Sequence, residues 1–583
     1  MNNTLLSLGR IFAGIVWSSA SLFAQNASEQ IRLNQVGFYP KAVKHAILIG
    51  KDHPSFYLIA QNTLDTVFSG KLGGNIKSPF SEKYSQLIDF SGFQQQGTYY
   101  LYVPHVGNSY PFSIKPKIHH EVAKAAIKGY YYQRATVDLP TRYAGKWARP
   151  AGHPDNKVLV HASAVSENRP EGTVISSPKG WYDAGDYNKY VVNSGITMAT
   201  LLSSYEDFKA IAGKLQLNIP ESNNQLPDLI DEILWNLRWM QTMQDPNDGG
   251  VYHKLTNAAF DGMVMPHKAT KTRYVVQKNT IATLDFAAVM AQASRVLKPF
   301  ARELPQLSDS CLIAAQKAWD WAIKNPSVYY RQNDNNQHFK PAITTGGYED
   351  KSNVDEWFWA SAELFVTTHQ KTYFDAIQWP EVATIPIATW NQVMPLGYYS
   401  LIRNEANLPD FAKEKILKLK EQLLNTANLL VDKQSEQLYH TVMGKTAKDF
   451  MWGSSSHAAN QGILLVQAYW LTKQSRYLEA ALGNIDYLLG RNGTGYSFLT
   501  GYGTKQVLHP HHRPSIADGI AEPIPGLLSG GPNPGQQDKC VYTSSVPDES
   551  FSDHDCSYAS NEIAINWNAP LVYLAIALEA HLE

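Results

Sequence analysis

Two patterns of apolar positions divide the chain near residue 118. Before it, the apolar residues form short alternating or continuous runs, as at residues 46–49, 55–59 and 98–103, with glycines between them. Runs of this length bounded by turn residues predict β-strands, and several in succession predict a small β-sandwich. We therefore expect an all-β domain over residues 29–117.

From residue 119 onward the apolar residues recur with a helical period. The predicted helices cover residues 121–127, 196–211, 226–243, 280–297, 308–323, 355–367, 412–431, 458–471, 477–489 and 561–581. Few convincing strands interrupt them, so residues 118–583 are expected to form an all-α domain of paired helices. The long loops rich in Gly, Pro and Asn are the expected location of a functional site.

The first 24 residues have the features of a secretory signal peptide. Arg10 precedes the apolar residues 11–17, and small residues follow at 18–24. This pattern predicts cleavage near Ala20 or Ala24 and a secreted or periplasmic protein. No later stretch is long and apolar enough to predict a membrane span.

The charge balance narrows the choice of partners. The formal net charge is −1 and no long run has a single sign, which argues against nucleic acid or an anionic membrane as the partner. The chain has 14 Trp and 32 Tyr, and aromatic side chains of this kind stack on sugar rings, although most of them are expected in the core. The protein is expected to be a monomer.

Three cysteines are few for an exported protein. Cys540 and Cys556 are spaced to close one loop, and a disulfide there would contribute about 3 kcal/mol by the loop-entropy model. The sequence leaves open whether that disulfide forms. Cys311 falls in a helical pattern and is expected to be a buried thiol.

A pair of acids, Asp183 and Asp186, lies in an aromatic stretch. Gly185 allows a sharp turn between them, which would direct both carboxylates the same way. Trp181 and Tyr187 would enclose the pair, as a sugar hydrolase requires on one face of its substrate. The alternative is an Asx-turn that caps the following helix.

A second candidate acid, Glu562, is predicted at the start of the last helix. A carboxylate in a first helical turn is explained by capping alone. Trp567 lies about one turn further on, however, and desolvation beside it would raise the pKa of the carboxyl, as a general acid near neutrality requires.

A loop with several histidines precedes this segment. His509, His511, His512 and Arg513 are close enough in sequence to suggest a metal site. The loop contains Pro510 and no neighbouring carboxylate, so donors to substrate hydroxyls are the better interpretation.

Taken together, three motifs resemble glycoside hydrolase family 9, in its subgroup with an N-terminal immunoglobulin-like domain. The motifs are residues 183–186, residues 500–513 and residues 553–569, and the resemblance covers essentially the whole mature chain. It implies an immunoglobulin-like β-sandwich followed by an (α/α)6 barrel. It also implies an inverting endo-β-1,4-glucanase, or cellulase.

The resemblance assigns roles to individual residues. In the reaction, Asp186 matches the general base, Asp183 the residue that helps hold the water, and Glu562 the general acid. The expected substrate contacts are His511, Arg513, Asp553, Tyr558 and Trp181. An inverting enzyme needs its acid and base about 6.5–9.5 Å apart to leave room for water.

The expected metal content departs from the family pattern. The positions that match the subgroup's zinc ligands are Ala135, Gly152, His153 and Tyr182, and one histidine cannot hold a tetrahedral zinc, so no zinc is predicted. Residues 345–350 followed by 355–356 resemble a calcium loop, and Asp350 is the best single candidate ligand. A solvated acidic helix start explains the same residues.

Other functions share these residues. The same acids would act on xyloglucan, or in an exo manner on gluco- or chito-oligosaccharides, and the long loops at residues 140–179 and 518–557 could block a cleft. A glycan-binding protein without activity is the alternative of a different class. The sequence does not decide whether Trp357, Trp359 and Trp452 line the cleft or the core.

Overall fold

The computed structural model describes residues 27–582, so the predicted signal peptide lies outside the described residues. The described part of the chain begins with two packed β-sheets. Their strands are β1 Ile31–Arg32, β2 Gly37–Phe38, β3 His45–Ile49, β4 Ser55–Ala60, β5 Thr66–Lys71, β6 Ile76–Lys77, β7 Tyr84–Asp89, β8 Gly97–Val103, β9 Gly107–Asn108 and β10 Phe112–Ile114.

The two sheets have the strand orders β1-β3-β7-β6 and β2-β10-β8-β4-β5, with β9 paired to β8. In β8, Tyr99, Leu101 and Val103 are buried while Tyr100 and Tyr102 point away from the core. This alternation follows from the period of two along a strand. The predicted immunoglobulin-like sandwich is confirmed.

The rest of the chain is a barrel of helices in two layers. The inner helices are Val191–Asp207, Thr280–Leu297, Val354–Thr368, Met394–Asn404, Ser454–Thr472 and Ile565–Leu582. The outer helices are His120–Gln133, Asp228–Thr242, Leu307–Lys324, Lys371–Ala376, Lys413–Val431 and Ser475–Leu488. Short helices in the connections are Thr141–Ala144, Lys209–Ala212, Gln332–His338, Arg513–Ala517 and Tyr558–Asn561.

The layers follow from the distribution of apolar residues. The inner helix Thr280–Leu297 is buried at every position except Arg295, because other helices surround it. The outer helix Lys413–Val431 buries only one stripe, which includes Ile416, Leu419 and Leu423. The barrel closes where Ile565–Leu582 packs on Val191–Asp207, as the predicted (α/α)6 architecture requires.

One small sheet inside the helical domain was not predicted. Its strands are β11 Val158–Val160, β12 Val174–Ile175, β13 Lys189–Tyr190, β14 Lys254–Asn257 and β15 Arg273–Val275, in the order β12-β11-β15-β14-β13. Strands of two to four residues carry too little alternation to be seen in a sequence. Strand β13 follows the predicted acid pair directly, and its pairing with β14 fixes the direction of the chain after that pair.

The two domains share an apolar and polar interface. Ile47 of β3 packs with Leu438 and Tyr439 of the barrel. The hydroxyl of Ser85 donates a hydrogen bond to the carbonyl of Leu438 at 2.7 Å. The sandwich therefore buttresses the loop that follows helix Lys413–Val431.

Two further predictions concern cysteines and membranes. Cys540 and Cys556 form a disulfide, and Cys311 is a buried free thiol as expected. Across residues 27–582, none of the helices combines the length and the apolarity that a membrane crossing requires.

Candidate active site

A cavity of about 910 Å³ opens at one end of the barrel. Its lining includes the three predicted catalytic carboxyls, Asp183, Asp186 and Glu562. The predicted substrate contacts His511, Arg513 and Tyr558 line the same cavity. Segments from distant parts of the sequence thus converge on one space, and its size is ordinary for a ligand site.

The loop between the two aspartates is shaped by close backbone contacts. A Cβ atom on Gly185 would lie 2.1 Å from the carbonyl oxygen of His511, so only glycine fits there. The backbone N–H of Asp183 bonds to the carbonyl of Asn188 at 3.1 Å, and its carbonyl accepts from the N–H of Ile565 at 2.8 Å. The acid pair is therefore locked to the last inner helix as well as to its own turn.

Asp183 is buried and held by two donors. The side chain of Asn193 donates to its Oδ1 at 2.6 Å, and the hydroxyl of Tyr348 donates to its Oδ2 at 2.7 Å. Burial, with the nearby Asp186 adding to it, raises the pKa of Asp183 to about 8 although both donors oppose the rise. Asp183 consequently keeps its proton at neutral pH.

Asp186 has a different set of partners. The amide of Asn188 donates to its Oδ2 at 2.5 Å, and the hydroxyl of Tyr190 donates to the same oxygen at 3.2 Å. Asn188 is itself held, because its carbonyl oxygen accepts from Thr256 at 3.0 Å. Both bonds to Asp186 fall on one oxygen, which leaves Oδ1 available to a water in the cavity.

Glu562 lies in an extended link rather than in the first turn of a helix, which corrects the prediction. The short helix Tyr558–Asn561 ends before it, and the inner helix Ile565–Leu582 begins after it. Its Oε1 accepts one hydrogen bond, from the N–H of Gly185 at 3.3 Å. Burial, together with the charges of the aspartates, raises its pKa well above the usual value.

The histidine loop runs beside this link as a parallel bridge between His511 and Glu562. Nδ1 of His511 donates to the carbonyl of Asp555 at 2.6 Å, so Nε2 is the ring atom left for a ligand. Arg513 donates from Nη1 to the carbonyl of Gly185 at 2.7 Å and from Nε to the carbonyl of Asp261 at 3.0 Å. Both side chains are thus oriented by backbone carbonyls rather than by each other.

The structure corrects the predicted substrate contact at Trp181. Its side chain is fully buried in the barrel core, packs on Tyr130 and donates to Glu232 at 2.8 Å. A residue next to the acid pair in sequence can face either the cavity or the core, and the Trp181 side chain faces the core.

Asp553 is also corrected, because it is absent from the cavity lining. Its carboxylate accepts from the backbone N–H groups of Leu508 and His509 and from the side chain of Asn561. It therefore clamps the histidine loop to the segment that carries Glu562.

An aromatic wall surrounds the acids. It consists of Tyr190, Phe260, Tyr348, Trp390, Trp452, Tyr558 and Trp567. Trp452 is 43% exposed and stands 5.5 Å from Tyr558 between ring centroids. Of the tryptophans left open by the sequence, Trp452 lines the cavity and Trp359 is buried in the core, while Trp357 packs against that core from a partly buried position.

Several residues of the site were not predicted. Asn188, Tyr190 and Asn193 follow the acid pair directly. Tyr190 belongs to a strand and Asn193 to a helix, and nothing in the sequence distinguishes them from ordinary residues of those elements. Tyr348 falls within residues 345–350, where the sequence predicts a calcium loop rather than a contact to Asp183. An Asn two residues after a catalytic Asp was the one available signal, since such a side chain reaches back to its neighbour.

The four positions of the family's zinc site are packed together. Nδ1 of His153 lies 2.9 Å from the hydroxyl of Tyr182, and a Cβ on Gly152 would lie 2.5 Å from Pro266. Burial lowers the pKa of His153 to about 2, so the ring is neutral. Beside this packing, the loop is held by Asp155, which pairs with Lys189 at 2.7 Å and with Arg273 at 3.2 Å. The absence of zinc stays a prediction.

The predicted calcium ligand Asp350 is not among the residues that line the cavity. Its Oδ2 is buried without a partner, as are both carboxylate oxygens of Asp285 and Glu356. Carboxylate oxygens without partners suit calcium. Within the described residues, however, these acids do not form a set of three whose ligand atoms lie within 4.8 Å of one another. Calcium binding stays a prediction.

The arrangement of carboxyls in an aromatic cavity at the end of a helical barrel is that of a glycoside hydrolase. Residues 119–575 match the model of glycosyl hydrolase family 9, and residues 26–108 match the cellulase N-terminal ig-like domain. The chain belongs to glycosyl hydrolase family 9, which confirms the predicted family and fold.

Relatives over the full length agree with this assignment. The chain is 45% identical to the xyloglucan-specific endo-beta-1,4-glucanase BoGH9A of Bacteroides ovatus, over 99% of this chain and 98% of that protein. It is 32% identical to endoglucanase D of Acetivibrio thermocellus, over 97% of this chain and 84% of that protein. The solved structure of a Bacteroides ovatus GH9 protein superposes with a TM-score of 0.91 at 44% identity, covering 95% of this chain and 99% of that one.

Proposed function

We propose that this protein is an endo-β-1,4-glucanase that hydrolyses xyloglucan with inversion at the anomeric carbon. The endoglucanase activity is the general part of the conclusion, and family membership and the full-length relatives establish it. The choice of xyloglucan and the inverting course are the specific part. We also propose that the protein is exported and acts as a monomer.

The observation that supports the mechanism is that the three carboxyls in the cavity have different hydrogen-bond partners. Burial raises the pKa of Glu562 well above its usual value, and a raised carboxyl pKa is what a general acid near neutrality requires. Asp183 also holds a proton at neutral pH, so Asp186 is the carboxyl of the pair left to act as base. Its Oδ1 takes the proton of the attacking water while Asp183 orients that water.

Two observations favour xyloglucan over an unbranched glucan. The relative that shares 45% identity over nearly the full length of both chains is named as specific for xyloglucan. The cavity wall also presents exposed apolar side chains beyond the acids, Phe260 at 44% and Trp452 at 43% exposure, which suit a substrate with sugar branches. Unbranched glucans are the second candidate, because endoglucanase D is also similar to this chain.

A hydrolysis panel tests the proposal. We expect the highest kcat/KM on xyloglucan, lower values on mixed-linkage glucan and carboxymethyl-cellulose, and little activity on chitosan oligomers. The first product should have the α-anomeric configuration, and initial release of the β-anomer would exclude inversion. Viscosity that falls faster than reducing ends appear distinguishes endo from exo action, and Glu562→Gln serves as the inactive control.

A further inference from the structure

A second cavity, of about 930 Å³, lies where the β-sandwich meets the barrel. Val43 and His45 line it from the sandwich, and the loops and helices around residues 383–384, 425–440 and 476–491 line it from the barrel. We call this space the seam cleft. It is as large as the candidate active site, and binding sites occur preferentially at such domain boundaries.

Buried polar groups form one part of the seam cleft. Arg491 is only 2% exposed and pairs with Asp486 at 3.0 Å, and its Nη1 donates to the carbonyl of His45 at 3.2 Å. Its Nε has no hydrogen-bond partner, and Nε2 of His440 has none either. Both atoms are also closed to solvent, so what this part of the lining offers a ligand is a polar wall that its own ion pair holds in place.

The charges of the lining are balanced. The cations are Lys433, Arg476 and Arg491, and the anions are Asp432, Glu479 and Asp486. Side-chain amides from Asn425, Asn428 and Gln434 lie among them. An equal number of each sign disfavours a phosphate or an acidic peptide, whereas amides and paired charges suit a neutral ligand with many hydroxyls.

Other features of the cleft fit a sugar chain. Leu429 is 62% exposed and offers an apolar surface for a ring face. Asn428 is held in place beforehand, since its Oδ1 accepts from Arg476 and from the hydroxyl of Tyr477, both at 2.7 Å. A fixed amide loses little conformational entropy when it binds.

The seam cleft is also close to the candidate active site along the chain. Thr384 lines the cleft and Thr389 lines the active-site cavity. Five residues span at most about 18 Å. At their nearest, the two cavities are therefore separated by no more than that distance.

We propose that the seam cleft is a second oligosaccharide site, which binds a neutral glucan segment that is not being hydrolysed. The identity of the sugar rests on the proposed function, whereas the preference for a neutral polyol rests on the cleft itself. Two linked sites would hold a polymer more tightly than either site alone.

Calorimetry on the full chain carrying Glu562→Gln tests this proposal, with xyloglucan and cello-oligosaccharides as probes. We expect two binding events per chain, and the weaker event should be lost when Thr384→Trp is added. Thr384 is exposed, so an indole there occupies the cleft without disturbing the core. Val382→Trp, on the same exposed segment but outside the cleft, is the matched control and should keep both events.

The outcomes separate the site from the proposed function. A single event in the parent, a second event that survives Thr384→Trp and Leu429→Asp, or a second event that weakens strongly with salt would each overturn the seam-cleft proposal. Xyloglucan hydrolysis by the wild type tests the function independently, because its failure would leave a cleft event that is sensitive to Thr384→Trp intact. Unchanged activity of Thr384→Trp on a short aryl-cellobioside verifies that the variant folds.

Discussion

The two halves of the candidate active site hold their carboxyls in opposite ways. Asp183 and Asp186 receive side-chain hydrogen bonds from four residues, Asn188, Tyr190, Asn193 and Tyr348. Glu562 receives one backbone hydrogen bond at 3.3 Å and is otherwise desolvated. Burial raises the pKa of Asp183 as well, to about 8, so the two halves differ in their hydrogen-bond partners rather than in desolvation.

In the proposed mechanism, this difference in hydrogen-bond partners distinguishes the base from the acid within one cavity. The base half is an ordered polar network that fixes the direction of an oxygen lone pair. The acid half offers Glu562 a single long backbone hydrogen bond, and burial raises the pKa of its carboxyl well above the usual value. Each half can be altered separately by mutation.

Removal of either half should have the largest effect. Glu562→Gln deletes the proton donor and Asp186→Asn deletes the base, and each should lower kcat by about 10⁴-fold, the upper end for general acid–base catalysis. Steady-state kinetics on xyloglucan measures the loss. Calorimetry should show oligosaccharide binding retained in both variants, and activity within tenfold of wild type in Glu562→Gln would exclude it as the acid.

Asp183→Asn should separate stability from activity. The folded-state pKa of Asp183 is raised to about 8, above the usual value, so the group costs stability as pH rises from about 4 to 8. The variant should therefore gain melting temperature over wild type, with a gain that grows across that range. Its kcat should fall about 10- to 100-fold, because the water loses an orienting group.

Tyr348→Phe is the matched control for that variant. It removes one donor to Asp183 and keeps the carboxyl, so the pH-dependent gain in melting temperature should be absent. A gain of equal size at every pH in Asp183→Asn would contradict the assignment of a raised pKa.

Arg513→Met should move the alkaline limb of the pH profile. The Arg513 guanidinium lowers the pKa of Glu562, and its removal should let Glu562 stay protonated to higher pH. Activity requires the protonated form, so kcat/KM should decline at a higher pH than in wild type. The pH profile is the readout, since a loss of sugar contacts alone would lower kcat/KM without moving the limb.

The smallest effect is expected at the disulfide on the acid half. Cys540→Ser with Cys556→Ser should destabilise the loop before Glu562 by about 3 kcal/mol or less. We expect a lower melting temperature and a modest fall in kcat, measured with and without reductant. Cys311 is a buried free thiol and serves as the control. The melting temperature of Cys311→Ala should change with reductant in the same way as that of the wild type.

The sequence was sufficient to predict most of the residues that meet in the candidate active site. Asp183, Asp186, Glu562, His511, Arg513 and Tyr558 all line the cavity, because motif resemblance fixes their positions in a barrel of known kind. The division into a sandwich and a barrel followed from the change in apolar period.

What the sequence did not reveal depends on packing between distant segments. Tyr348 reaches Asp183 only because the loop before helix Val354–Thr368 folds over the acid pair. Trp181 and Trp452 are the same residue type near the same motifs, yet one is buried and the other is exposed. Only the orientation of each backbone segment decides between those outcomes.

Gly185 has a consequence for engineering this enzyme. Its N–H bonds to Glu562, its carbonyl accepts from Arg513, and its Cα faces the backbone of His511 with no space for another carbon. The Glu562 carboxyl is thus held by a main-chain group of the acid-pair turn, and that turn is held to the histidine loop by close contact between main chains. Specificity can be redesigned through exposed cavity residues such as Phe260 and Trp452, whereas position 185 accepts no residue larger than glycine.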